Sequence, residues 1–242
     1  MVGIITGASS GIGLATAEVL AENGHKVYAV SRTGKPKDPD TKANENITHV
    51  KGDILDYKAM RELFSWIAEK EGGLDFLVNN AGISVKKRAE EVSEEEFDSV
   101  MKTNVYAPYH LSCMAFPYLS KSPSVGRIIN IASMSSYFGF ELVAPYCVSK
   151  GAIASLSRAL AVEWAKDNIT VNNIVPGWFP SELNRKVMDP ERQQKILNRM
   201  PLHRYGDPRD IGAVINFLLS PSATYITGCD YPVDGGAIAF GY

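Results

Sequence analysis

The chain is poor in cysteine, in clustered histidine, in long apolar runs and in net charge. Each shortage removes a class of function. Its three cysteines, Cys113, Cys147 and Cys229, are odd in number, far apart and form no CxxC pair. They suit neither a disulfide framework nor a thiolate zinc site, and they point to reduced thiols in a cytosol. The four histidines, His25, His49, His110 and His203, lack ligand spacing. No metal is expected, and they read as surface or satisfied polar groups. Lys and Arg number 25 against 27 Asp and Glu, a formal net charge of −2. No general attraction to nucleic acid follows from that balance. The opening MVGIITGASS has no basic segment and no apolar run of signal-peptide or anchor length. The expectation is a cytoplasmic protein with no membrane and no nucleic-acid partner.

What is present is ordinary globular material: 242 residues, 45% hydrophobic and 21% charged. That length can bury a sizeable core as one unit. Short apolar, β-branched runs lie at 2–6, 26–31, 47–51, 75–80, 126–132, 170–175 and 229–233. Between them fall helical stretches at 12–23, 56–70, 94–120, 145–167 and 208–219. Such alternation predicts one α/β domain, a Rossmann-type doubly wound parallel sheet of about seven strands with helices on both faces. Asp207 and Pro208 supply the N-cap and first position of the last helix. The polar stretch 34–46 reads as a loop too short for a long helix.

The first strand runs straight into TGASSGIG, residues 6–13. Gly7, Gly11 and Gly13 let the backbone turn tightly, with Ser9, Ser10 and Ile12 in the same turn. A helix follows, whose free N–H groups and dipole suit a pyrophosphate. The spacing is G-x-x-x-G-x-G rather than G-x-G-x-x-G, and a ligand-free turn can share this composition. No carboxylate ends the second strand, which closes on Ser31-Arg32-Thr33. A carboxylate there would repel a ribose 2′-phosphate; Ser31 does not, and Arg32 offers a fork that fits phosphate. NADP(H) is therefore favoured over NAD(H), with a solvated loop cation as the other reading of Arg32.

In YCVSK, Tyr146 and Lys150 stand four apart, on one face of a helix. A phenol ordinarily titrates near 10, roughly three units above neutrality. A nearby ammonium favours the phenolate and lowers that value, which suits a general acid or base. The pair alone is common on helix surfaces.

Its company is less common. TGASSGIG is followed by NNAG (79–82), TNV with Asn104, Ser133 after a strand, Tyr146 with Lys150, PGWFPS (176–181) and DGG (234–236). In that order the chain, from Gly3 to Gly236, resembles the short-chain dehydrogenase/reductase family in its compact Y-x-x-x-K branch. The resemblance implies hydride transfer between NADP(H) and a carbonyl or secondary alcohol. The substrate would be a small molecule, such as a sugar, sugar acid or other polyol. It implies that Ser133 stabilises the oxyanion and that Lys150 also holds the nicotinamide ribose. Asn104 would keep a water beside Lys150. Asp53 and Ile54 would contact adenine, and Asn80, Ala81 and Gly82 the adenosine ribose. Pro176 and Gly177 would run beside the nicotinamide. Ser181, where the family often has Thr, would serve the carboxamide. Residues 177–207 would form a substrate lid, and the long helices would pair in a homotetramer. The tail, 237–242, would help close a neighbour's site. Lys86-Lys87-Arg88 either meets an acidic substrate or carrier, or is a solvated loop beside the acidic run 90–96. A 3-oxoacyl-[acyl-carrier-protein] reductase-like enzyme and a non-catalytic dinucleotide-binding protein are the competing readings. A nucleotide-sugar epimerase or dehydratase would need a longer C-terminal region.

Overall fold

The computed structural model describes residues 1–179 and 190–241. Seven strands are present among them: β1 (Val2–Thr6), β2 (Lys26–Ser31), β3 (Ile47–Lys51), β4 (Phe76–Asn79), β5 (Gly126–Ile131), β6 (Ile169–Pro176) and β7 (Asp230–Val233). They form one sheet in the order β3-β2-β1-β4-β5-β6-β7. Every neighbouring pair is parallel. All seven strands lie within one residue of the ranges expected from sequence, and no helix interrupts 34–46. The chain reverses its direction of winding between β1 and β4, which opens a crevice at the carboxyl ends of those strands.

The helices are α1 (Gly11–Glu22), α2 (Tyr57–Glu71), α3 (Glu94–Met101), α4 (Ala107–Leu119), α5 (Ala144–Glu163), α6 (Pro190–Arg199), α7 (Pro208–Leu219) and α8 (Ala237–Phe240). Strand side chains alternate between faces. Ile4, Leu77 and Ile128 join Phe64 of α2, Leu111 of α4 and Leu160 of α5 in one core. Their neighbours Ile5, Val78 and Ile129 turn the other way, onto Leu20 of α1 and Ile211 and Ile215 of α7. Each such fully buried side chain stabilises the fold by about 1.5–3 kcal/mol. A third cluster joins Met134, Ile153 and Val175 to Ile196 of α6 and Met200, which seats that helix at the sheet's carboxyl edge.

Arg127 of β5 is fully buried. It donates to the carbonyls of Leu218 (2.8 Å), Ser220 (3.1 Å) and Val125. The guanidinium so completes the C-terminus of α7, where free carbonyls and the dipole favour a cation.

Three expectations need correction. The helix expected over 94–120 is broken by a π-turn at Lys102–Tyr106, between α3 and α4. Pro108 explains part of this: it lacks the N–H that an α-helix would pair with the Asn104 carbonyl. The helix expected over 145–167 ends at Glu163, before a 3₁₀ turn at Ala165–Asp167. The histidines are not all surface or satisfied groups. His25 and His49 each bury an Nδ1 without a partner, and burial pushes both rings below the usual histidine value.

Candidate active site

Ser133 leaves β5 in extended conformation and caps the turn Met134–Ser136, its hydroxyl accepting from Ser135 N (3.2 Å). Pro145 sits in the first turn of α5, where a missing N–H costs nothing. Tyr146 follows it, partly buried, with its phenol close enough to Ser133 for the serine side chain to favour the phenolate. One turn on, the Lys150 Nζ lies 5.5 Å from the Tyr146 ring centre. Lys150 is only 5% exposed, and its ammonium donates to Ile131 O at 2.6 Å. Asn104 is buried in the π-turn. Its Nδ2 donates to Ile83 O (2.8 Å) and Ser149 Oγ (3.0 Å), and its Oδ1 accepts from Ile83 N (2.9 Å). A Cβ placed on Gly82 would stand 3.3 Å from Asn104 Oδ1 and 3.8 Å from Lys150 Nζ. Gly82, Asn104, Ser133, Tyr146 and Lys150 thus converge, although 68 positions separate the first from the last.

Burial sets the electrostatics. It pushes Lys150 down to about 8. It also raises Tyr146 above the usual phenol value, with the Ser133 hydrogen bond pulling the other way. This corrects the expectation that the lysine lowers the tyrosine. Desolvation of the phenol outweighs the Ser133 contact, and the Lys150 ammonium donates to the Ile131 carbonyl.

The glycine turn lies beside this group. Gly7 has φ +68°, and a Cβ there would meet Ala81 Cα at 2.8 Å. On Gly13 it would meet Asn80 Nδ2 at 2.4 Å and Gly7 O at 2.6 Å. Asn80 Nδ2 itself donates to Thr6 O (2.8 Å) and Gly7 O (3.2 Å). The Thr6 hydroxyl accepts from the amides of Asn80 and Ala81, each at 3.1 Å. So the Asn80 side chain braces the loop, leaving backbone to face a ligand. Ser10, the N-cap of α1, makes no side-chain cap bond, and no acidic residue stands in the first turn.

The family model described as Enoyl-(Acyl carrier protein) reductase matches residues 7–237. A 2-dehydro-3-deoxy-D-gluconate 5-dehydrogenase from Dickeya dadantii is 36% identical, covering 98% of this chain and 95% of that protein. A 3-oxoacyl-[acyl-carrier-protein] reductase from Vibrio cholerae is 35% identical, with coverages of 97% and 96%. A crystal structure described as a gluconate dehydrogenase from Agrobacterium tumefaciens superposes with a TM-score of 0.89 at 30% identity, covering 98% of this chain and 96% of that one. The chain belongs to the short-chain dehydrogenase/reductase family.

As a member of that family it is an oxidoreductase acting on CH–OH and C=O groups with a nicotinamide dinucleotide. The residues present fit such a cofactor. Gly7 and Gly13 leave no room for a side chain, and the α1 N-terminus is uncapped by any side chain, as a pyrophosphate cradle requires. The other residues expected to touch the cofactor are placed as follows. Ser31 is buried, while Arg32 and Thr33 are exposed at the end of β2. Ser9 O accepts from Lys37 N at 2.8 Å. Asp53, exposed past β3, accepts from Leu55 N, and Ile54 packs on the core. Pro176 ends β6, and Gly177 donates to Val233 O at 2.9 Å. Ile12 packs beside Ala8 and Phe179 in the core on the α1 face. Ser181, with Leu183, Asn184 and Arg185 of the expected lid, lies outside the described residues, as does Tyr242 of the tail.

Thr6 and Ser149 were not singled out in the sequence. The Ser149 hydroxyl accepts from Asn104 and donates to Tyr146 O at 2.7 Å. A small hydroxyl residue just before Lys150 was the available signal. A cavity of 520 Å³ also opens between Trp178, Phe179, Leu202, Arg204 and Asp234; Ser133, Tyr146 and Lys150 do not line it.

Proposed function

We propose that this enzyme is an NADP(H)-dependent, homotetrameric reductase of a keto group in a hydroxylated acid such as a keto-sugar acid. The observation that carries the catalytic reading is the convergence of Ser133, Tyr146 and Lys150 beside the glycine turn. A dinucleotide held on the glycine turn would supply hydride to the carbonyl carbon. Tyr146 donates its phenolic proton to the carbonyl oxygen as the C=O π bond becomes a C–O–H single bond. The Ser133 hydroxyl donates a hydrogen bond to the same oxygen and stabilises its developing charge. Lys150, pushed down to about 8 by burial, returns a proton toward Tyr146. Asn104 fixes the loop of Ile83 and the helix of Lys150 relative to each other.

The 2′-phosphate preference is supported at the end of β2. Ser31 brings no negative charge, and its Oγ lies 3.2 Å from Thr33 Oγ1 and accepts from Gly34 N at 3.1 Å. Arg32 is exposed and has no ion pair among the described residues. The Lys37–Ser9 backbone bond folds residues 34–46 back onto the glycine turn, bringing Lys35 and Lys37 toward it.

A hydroxylated acid is favoured over a carrier-bound chain for one reason. Lys87 pairs with Glu96 at 2.6 Å and Arg88 pairs with Glu90, so two of the three clustered cations are already engaged. Likeness to the Dickeya and Agrobacterium proteins agrees. The tetramer is supported by exposed apolar side chains along α4 and α5: Tyr109, Val148 and Val162, the last 83% exposed. Tyr106 of the π-turn adds to that strip. Among the described residues no helix is long and apolar enough to cross a membrane.

The test is a titration with NADPH and NADH, followed by turnover of 2- and 5-ketogluconate against a 3-oxoacyl thioester. Tighter NADPH binding and ketogluconate reduction support the proposal. Preference for NADH, or turnover of the thioester alone, overturns the corresponding part. Light scattering at a tetramer mass checks assembly.

A further inference from the structure

Four neighbouring strands carry polar side chains at one level of the sheet. Asn79, Asn130, Asn173 and Asp230 are register partners across β4, β5, β6 and β7. Asn79 Nδ2 donates to Asn130 Oδ1 (2.8 Å), and Asn130 Nδ2 donates to Ser157 Oγ of α5 (2.8 Å). Ser157 Oγ donates to Asn173 Oδ1 (2.6 Å), and Asn173 Nδ2 donates to Asp230 Oδ1 (2.6 Å). The row ends on the one carboxylate, and Ser157 Oγ also lies 3.0 Å from Ile153 O within α5. The Tyr137 phenol donates to the other oxygen of Asp230, and Arg158 stands 3.7 Å from it.

Two points of this row, its Asp230 end and Ser157 at its middle, bear on the reacting group. Tyr137 closes the turn that Ser133 opens, its amide bonding to Met134 O at 2.9 Å. Within that turn, Ser136 Oγ donates to Lys150 O at 2.9 Å. Ser157 lies two helical turns beyond Lys150 on the same face of α5. Lys150 grips Ile131 O, and Ser157 grips Asn130, the adjacent strand residue. Helix α5 therefore meets β5 at two polar points and cannot slide along it without breaking both. A packed apolar contact would permit that slide; directional hydrogen bonds do not.

We infer that Tyr137 and Asp230 are positioning residues: they pin the turn of Ser133, while the amide row behind Asp230 fixes the register of α5, so that Ser133 stays within hydrogen-bonding reach of Tyr146. The inference rests on the reading that Ser133 and Tyr146 perform the proton chemistry. Tyr137 acts through Ser133, and this separates it from a residue that touches substrate or merely adds stability.

The experiment is a double-variant cycle of Tyr137→Phe and Ser133→Ala, read with NADPH and diacetyl as probe carbonyl. Tyr137 is 48% exposed, so loss of its hydroxyl leaves the fold intact. Tyr137→Phe is expected to lower kcat about ten-fold with cofactor Kd unchanged, and to have no further effect once Ser133 is Ala. Asp230→Asn is expected to reproduce it. Hydrogen exchange supplies a readout independent of turnover: amides of 133–138 should exchange faster in Tyr137→Phe, with the rest of the chain unaltered. A Tyr137→Phe enzyme with unchanged kcat, or one whose loss persists beside Ser133→Ala, overturns the inference. Unaltered exchange across 133–138 overturns it as well. A wild-type protein that reduces no carbonyl would sink the reductase reading instead, and the exchange measurement would still decide the pin.

Discussion

The two halves of the sheet meet their tasks with different materials. On the β1–β2 side the site is made of backbone. Gly7 and Gly13 leave no room for side chains, Gly11 turns the chain at φ +58°, and Thr6 and Asn80 brace the loop from behind. On the β4–β7 side the site is made of side chains. Ser133, Tyr146 and Lys150 converge there, and a row of amides lies behind them. A dinucleotide is long and carries many acceptors, so exposed N–H groups and a helix end suffice to hold it. Proton transfer needs particular atoms within a few tenths of an ångström, and only anchored side chains supply that.

The comparison breaks most visibly at Tyr146. Tyr146→Phe keeps the ring and removes the acid; kcat should fall by about 10²–10⁴-fold while NADPH affinity stays level. Stopped-flow single turnovers beside fluorescence titration separate the two effects, and full turnover would end the mechanism. On the other side the reverse pattern is expected. Gly13→Ala puts a methyl against Asn80 Nδ2 and Gly7 O. It should weaken NADPH binding by at least about ten-fold and cost about 1–3 kcal/mol in urea unfolding through that overpacking. Arg32→Ala is gentler and more selective. NADPH affinity should drop roughly ten-fold, one charge-assisted contact, with NADH affinity unchanged; equal losses for both would remove Arg32 as the phosphate reader.

The smallest effect lies outside both halves of the site. His25 and His49 are held by burial below the usual histidine value. The fold therefore favours their neutral forms. Their contribution is present above the unfolded value of 6.5 and is lost as pH falls below it toward the lower folded values. Tm should decline between pH 7 and pH 5.5, roughly the histidine range, and a His25→Gln/His49→Gln protein should decline less over it.

Much of this architecture was readable from local pattern. Strand alternation such as Ile4-Ile5 and Ile128-Ile129, glycines at the first turn, and Tyr146 four before Lys150 are all short-range signals. The π-turn was missed although Pro108 stands four residues after Asn104, because the apolar period continues through it. Helix α6 was missed because PERQQKILNR is mostly polar and gains its place from Ile196 packing on the α5 cluster.

By itself the sequence determined the order of strands and helices, the glycine turn and which residue types were available for chemistry, since each depends on neighbours within a few positions. Only the tertiary structure decided which of those residues meet. Asn79, Asn130, Ser157, Asn173 and Asp230 are ordinary polar residues in the chain, and parallel pairing across β4–β7 makes them one hydrogen-bonded row. The sign of the Tyr146 shift was likewise settled by burial rather than by the lysine four residues away. Desolvation depends on everything packed around a group, and no spacing along one helix records that.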